Sequence, residues 1–274
     1  MWHRKPVVAG AFYPSERDDL SGMIKEYMDK ADIPSLEGEV LGIISPHAGY
    51  VYSGPVAAYS FKLVQDMKPE VVVVLAPSHR ARFNGGSVIP GGIYETPLGN
   101  IPIDEKIGEA LNGKGRFVFI KEAHQHEHSL EVQVPFLQAV IDDFTLVPIV
   151  IGSVELDVCR DMADELYDVL KKDGRRFLLV ISTDLSHYHS YESARELDGL
   201  FIESLKTFNE ESIKESISRK GAEACGEGPI LTGLMLARKL GGDTVEVLKY
   251  ATSGDTAGDK NQVVGYLSAA LIKQ

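Results

Sequence analysis

Cysteine is scarce in this 274-residue chain: two, Cys159 and Cys225, cannot build a disulfide framework, and the default setting for such a composition is a reducing, cytoplasmic compartment. No run approaches the roughly 20 apolar residues of a membrane-spanning helix. The basic start, Met1 to Lys5, leads into Pro6 to Tyr13, which is too short and too broken by Pro and Gly for the apolar centre of a signal peptide. Positive charge is also short, with 28 Lys and Arg against 40 Asp and Glu and a net charge of -12. That balance opposes phosphate backbones and anionic lipid, so neither a nucleic-acid nor a membrane partner is expected. His-x-Glu with Cys-x-x-Cys, a Walker loop, Gly-x-Gly-x-x-Gly after a strand and a Gly-x-Ser-x-Gly elbow are all missing. Their absence removes zinc deaminases, common NTPases, simple Rossmann enzymes and ordinary serine hydrolases. Low-complexity linkers, internal repeats and composition breaks are lacking too, so residues 1–274 read as a single domain.

What is present is histidine in a repeated setting. Val40 to Ile44 is a short apolar run, Pro46 ends it, and His47 follows at once. Val71 to Leu75 leads to His79 in the same way, Val118 to Ile120 leads to the cluster His124, His126 and His128, and Phe177 to Ile181 leads to Asp184, His187 and His189. Of the eight histidines only His3 lies outside these stretches, which are expected to be loops.

The rest alternates helical and strand periodicity. Helices are expected over Glu16 to Lys30, Pro55 to Met67 with Ser53 or Gly54 as cap, Asp104 to Leu111, Ser129 through Val140 with a kink at Pro135, Val154 to Leu170, Ser190 to Phe208, Glu211 to Ser218 and Pro229 to Leu240. Strands are expected near Val88, Ile101 and Phe117 to Ile120, over Phe144 to Ile151, and at Val245 to Ala251 and Gln262 to Leu271. The alternation implies an α/β fold with a mostly parallel sheet covered on both faces. Right-handed crossovers then gather the strands' carboxyl ends on one edge, where His47, His79, the 124–128 cluster and His187 can meet.

Neutral imidazole is the commonest metal ligand, and two His plus an anionic ligand with open positions suit non-haem Fe(II) or catalytic Zn. Equally, His47 and His79 can be strand-end residues bonded to backbone. Asp184 can be a ligand, an orienting carboxylate or a cap, and His187 a ligand, general acid or general base. Glu127 and His128, opening a helix, are expected to line the cleft, with His124 and His126 at its rim and His189 peripheral. Cys225, before a proline-started helix, can be a thiolate ligand or a nucleophile. Cys159, amid Val154, Leu156, Met162 and Leu166, reads as a core thiol.

Ala9-Gly10-Ala11-Phe12-Tyr13-Pro14, Ser45 through Gly54, Pro77-Ser78-His79, Glu127 through Leu137, the Ser182 to His187 stretch and Cys225-Gly226 follow one another in an order that resembles the MEMO family (mediator of ErbB2-driven cell motility), over essentially the whole chain. That family looks like a relative of the class III extradiol dioxygenases, iron enzymes that open catechol rings. The resemblance implies an α/β/α sandwich, with His47, His79 and Cys225 as metal ligands and Asp184 and His187 beside them as catalytic groups. It further implies a ligand-binding wall of Phe12, Tyr13, Tyr50 and Tyr52 together with Glu127 and His128. The dioxygenase kinship implies Fe(II), while a cysteine in place of the dioxygenase carboxylate shifts metal preference towards softer ions and leaves Cu or Zn as alternatives. The function this implies is a metal-dependent oxidoreductase acting on a small aromatic or phenolic compound. The alternative is a non-catalytic peptide- or anion-binding or copper-handling module using the same cleft.

Overall fold

The computed structural model describes residues 2–274. Its first third contains β1 (Trp2–Arg4), α1 (Arg17–Lys30), β2 (Glu39–Ser45), α2 (Tyr50–Leu63), β3 (Val71–Pro77), β4 (Gly86–Val88) and β5 (Gly92–Thr96). The middle contains β6 (Gly99–Ile103), α3 (Glu105–Leu111), β7 (Phe117–Val118), α4 (Lys121–Gln125), α5 (Gln133–Val140), β8 (Thr145–Ile151) and α6 (Leu156–Asp173). The last third adds β9 (Phe177–Ser182), β10 (Asp184–His189), α7 (Tyr191–Lys206), α8 (Glu210–Lys220), α9 (Glu227–Lys239), β11 (Thr244–Thr252), α10 (Ser253–Thr256) and β12 (Val263–Lys273).

The strands form one sheet with the main order β1-β5-β6-β8-β3-β9-β2-β12-β10. Its centre, β8-β3-β9-β2, is parallel throughout, whereas β12 pairs antiparallel with β2, β10 and β11. Alternate residues of β3 enter different cores: Val71, Val73 and Leu75 pack on one face, Val72, Val74 and Ala76 on the other. The first core is closed by α6 and α9 through residues such as Met162, Leu166, Leu231 and Leu234. The second is closed by α1, α2 and α5 through Leu20, Ile24, Phe61 and Phe136. The result is the expected mixed α/β sandwich, its central strands apolar on both faces because both are covered. Cys159 lies in the first core, fully buried.

Several local expectations are corrected. Helix α2 starts at Tyr50, five residues before Pro55. Its amino end is held by Tyr50 N–H donating to Phe12 O at 2.7 Å and by Gly49 O accepting from Tyr52 and Ser53. Residues 129–132 are turns, and α5 begins at Gln133, so Pro135 sits in a first turn where no intrahelical donor is needed. The strand at Phe117 stops at Val118, and α4 takes up His124. Asp184 to His189 is a strand rather than a loop, because β12 supplies an antiparallel partner, Asp184 opposite Tyr266 and His187 opposite Val264.

Candidate metal centre

The parallel strands β2, β3 and β9 end side by side, and the residues after them meet there. Pro46 ends β2, and the His47 backbone N–H donates to Asp184 Oδ1 at 2.8 Å. Beyond β3, the His79 N–H donates to Glu127 Oε2 at 2.6 Å and the His79 Nδ1 is 2.9 Å from Glu127 Oε1. Glu127 Oε1 also accepts the backbone N–H groups of His128 and Ser129, each at 3.0 Å, while the Ser129 hydroxyl donates to Pro77 O at 2.9 Å. The 127–129 turn is thereby tied to the end of β3, and His128 is brought over His79.

Three imidazoles converge as a result. His79 and His128 stack at 4.7 Å between ring centroids; His47 meets them edge-on at 5.3 and 5.5 Å. One nitrogen of each can be chosen so that all three lie within 4.8 Å of one another. Burial first, then the like-charged neighbours His79, His128 and His187, push the His47 pKa well below its ordinary value. Burial likewise brings His128 down to about 4 despite the opposing Glu127 carboxylate. Glu127 is itself buried, which pushes its pKa up, but the hydrogen bonds from His79 and from the backbone outweigh this and hold it at about 2.

An ionised Glu127 only accepts, so His79 Nδ1 is the donor and its Nε2 is the nitrogen left for a ligand. His128 Nδ1 is buried without a hydrogen-bond partner, although Glu127 Oε1 stands 3.4 Å away. Orphaned buried nitrogens of this kind are rare in folded proteins, and the three-imidazole set fits a transition-metal ion.

Cys225 reaches the same place from the start of α9. Its Sγ is 3.2 Å from His47 Nε2 and accepts from the Asp184 N–H at 3.2 Å. The close approach requires Gly226, where a Cβ would stand 2.4 Å from Thr183 Cβ and 2.5 Å from Ser182 O. Burial, followed by the nearby Asp184, pushes the Cys225 thiol pKa up rather than down, so the lowering expected of a helix amino end is overridden and the thiol is protonated in the metal-free protein. The tight trio thus consists of His47, His79 and His128, with Cys225 against His47. Asp184 is buried, and burial raises its carboxyl to about 7 against the opposing bond from the His47 N–H. Its Oδ2 lies 3.9 Å from His47 Nε2. His187, half-buried on β10, is pushed down by burial while its hydrogen bond to the Leu185 backbone pulls back.

The expected wall residues divide. The Phe12 ring lies 5.0 Å from His128, and Tyr52 is 46% exposed nearby, its ring facing Gly49. Tyr13 and Tyr50 are instead core residues: the Tyr13 hydroxyl donates to Glu131 Oε1 at 2.5 Å and that of Tyr50 to Val132 O at 2.7 Å. Glu127 stands behind His79 rather than in the wall. His124 is no rim residue either; it is buried with Nε2 3.0 Å from Ser87 Oγ, while His126 is exposed. His189 pairs with Glu223 at 2.8 Å, away from the trio.

The supporting groups were not foreseen. Arg4 and Glu131 form a buried ion pair at 2.8 Å, and Arg4 also donates to the carbonyls of His124 and Glu127. Ser182 and Gln133 contact each other beneath His47. Glu131, Gln133 and Ser182 belong to motifs already singled out and Arg4 does not, and side chains that serve another residue carry no spacing signature of their own.

A mostly parallel α/β sheet with a histidine cluster at its strand ends defines the class. The description "Memo-like protein" matches residues 4–270, and the chain belongs to that family. It is 37% identical to a MEMO1 family protein of Methanobrevibacter smithii, over 97% of this chain and 98% of the relative. It is 40% identical to one of Saccharolobus islandicus, over 97% and 98%, and 39% identical to one of Thermotoga neapolitana, over 98% and 99%. Among solved structures, an uncharacterized protein of Escherichia coli K12 superposes with a TM-score of 0.57 at 16% identity, covering 85% of this chain and 99% of that one. That likeness concerns the fold alone.

Proposed function

We propose that this Memo-like protein is a metal-dependent oxidoreductase whose cleft binds Fe(II) and a small aromatic or phenolic compound. The observation that carries the reading is the convergence of His47, His79 and His128 within 4.8 Å. His47 and His79 hold the ion, with His128 or Cys225 as the third donor. When bound, such an ion supplies redox chemistry or Lewis acidity to a ligand in its open positions.

The chain's own groups prepare the rest. Asp184, with its carboxyl near 7, is poised to give or take a proton close to neutral pH, and His187 stands on the same strand as a second proton-handling group. The Phe12 ring shields the His128 side of the cleft, and Tyr52 offers a flat face to an aromatic ligand. In this reading residues 1–274 act as one domain, and two free thiols fit a reducing, cytoplasmic setting.

The test is metal content by mass spectrometry on protein purified anaerobically, followed by a catechol panel read by O2 uptake and ring-opened chromophores. About one equivalent of iron, lost in His47→Ala, supports the reading; whether His128→Ala or Cys225→Ser also loses it identifies the third donor. Wild-type protein that refuses Fe(II), Cu(I) and Zn(II) on titration sinks it. One observation favours a second reading, a non-catalytic copper-handling or peptide-binding module: a sulfur 3.2 Å from His47 Nε2 suits Cu(I) better than iron. Stoichiometric Cu(I) binding without turnover of any catechol decides for it.

A further inference from the structure

The geometry points to Ser182 as a positioning residue that fixes the tautomer of His47, so that the Nε2 lone pair of that ring faces the cleft. The inference rests on the metal-cleft reading for its purpose but not for its geometry. Ser182 is the last residue of β9, in register with Ser45 at the end of β2, and is fully buried. Its Oγ has three neighbours. It lies 2.7 Å from Ser129 O, 2.9 Å from Gln133 Nε2 and 2.8 Å from His47 Nδ1.

A hydroxyl has one proton and two lone pairs. Ser129 O can only accept, so the Ser182 proton goes there. Gln133 Nε2 also meets Pro46 O at 3.0 Å; facing a carbonyl and a hydroxyl at once, it is the amide's donor end, and it fills one Ser182 lone pair. One lone pair remains, and only a His47 that carries its proton on Nδ1 can use it. The other tautomer would set two lone pairs against each other in a buried place, where an unmet polar group is costly. His47 Nε2 is therefore bare and points towards Cys225 Sγ.

His79 reaches the same end by a different route, since an anion holds its Nδ1 proton. A hydroxyl does for His47 what a carboxylate does for His79, and it adds no charge beneath a ring already surrounded by other imidazoles. Such outer partners orient a ligand and raise its affinity for metal, typically by about 10- to 100-fold.

The experiment is a long-range proton–nitrogen NMR correlation of the histidine rings in metal-free, nitrogen-15-labelled full-length protein, with Zn(II) titration alongside. In the wild type, His47 is expected to show the single pattern of an Nδ1-protonated ring. In Ser182→Ala that pattern should shift towards a tautomer mixture, with Zn(II) affinity about 10- to 100-fold weaker. Ser60→Ala removes another buried hydroxyl, one that donates to Ile44 O at 2.6 Å on the neighbouring stretch of β2, and should leave the His47 pattern unchanged. An Nε2-protonated His47 in the wild type overturns the inference, as does an unchanged pattern in Ser182→Ala. Should Ser182→Ala not fold, the wild-type ring pattern alone decides. Wild-type protein that binds no metal yet shows the expected tautomer defeats the metal reading and leaves this one standing.

Discussion

The two edges of the same four parallel strands handle buried polar groups in opposite ways. Before the strands begin, opposite charges meet. Arg175 bonds Asp173 at 2.7 Å and Asp104 at 2.8 Å, and Lys106 adds a second partner for Asp173 at 2.7 Å. The Arg175 hydrogen bond holds the Asp173 carboxyl far below its usual range. Asp104 is pushed up by burial, but its bonds to Arg175 and Thr145 win and leave it lowered. After the strands end, three imidazoles crowd together instead. His47 and His128 are driven towards neutrality by burial and by cationic neighbours such as His79, and burial raises Asp184 towards the neutral acid. Burial is common to both edges, and what separates them is whether an opposite charge outweighs it. The first edge is an ion-paired lattice in which Arg175 and Lys106 answer Asp173 and Asp104. The second keeps lone pairs unanswered, as a binding site must.

Acid should break this contrast with the largest effect. Buried His124 is held at about 3 by burial, against an ordinary 6.5, so below pH 6.5 the unfolded chain takes up a proton that the folded one refuses. Its contribution is fully present above pH 6.5 and is lost as pH falls towards 3, on the order of 5 kcal/mol in all. Asp173 and Asp104, with lowered values, lose theirs only below the ordinary carboxylate range. Urea midpoints between pH 7.5 and 4 should fall for the wild type and fall less steeply for His124→Gln; equal slopes would contradict the assignment.

Next in size, Glu127→Gln replaces the anion that gathers His79, His128 and Ser129. A loss of about 2 kcal/mol in urea is expected, together with about 10- to 100-fold weaker Zn(II) binding by calorimetry. Unchanged metal affinity would show that His79 does not need its carboxylate. Gly226→Ala should cost a similar or slightly smaller amount, about 1–2 kcal/mol, by overpacking against Thr183. Because it displaces Cys225 from His47, it should also change any charge-transfer absorption of a Cu-loaded protein; an identical spectrum would exclude Cys225 as a ligand. Smallest is Arg175→Met, about 1 kcal/mol in the same urea assay, since the pairs are partly solvated. It should leave metal binding untouched, and a change there would mean the two edges are coupled.

Much of the ligand edge was legible because it follows from local rules. Apolar runs ended by Pro46 and Pro77 place His47 and His79 at strand ends, and Cys159 sits among apolar residues at helical spacing. What escaped depends on partners far away in the chain. Asp184 to His189 looks polar enough for a loop until β12 pairs with it. His128 joins the trio only because Glu127 turns its carboxylate back on its own turn and on His79. Tyr13 and Tyr50 resemble wall residues beside glycine-rich motifs, yet Glu131 and Val132 O draw both hydroxyls inward. Helix α2 begins before Pro55 because Phe12 O, far away in the chain, satisfies its first donor.

The three imidazoles come from three separate segments, each following or facing the end of a different element, so no fragment of the chain contains the site. It exists only once the sheet has closed, which makes any ion that fills it a ligand of the native state alone. By mass action such an ion raises the unfolding free energy by about 4 kcal/mol at a thousandfold excess over its dissociation constant. The melting temperature is therefore a gauge of which ion the cleft prefers, readable before any substrate is known.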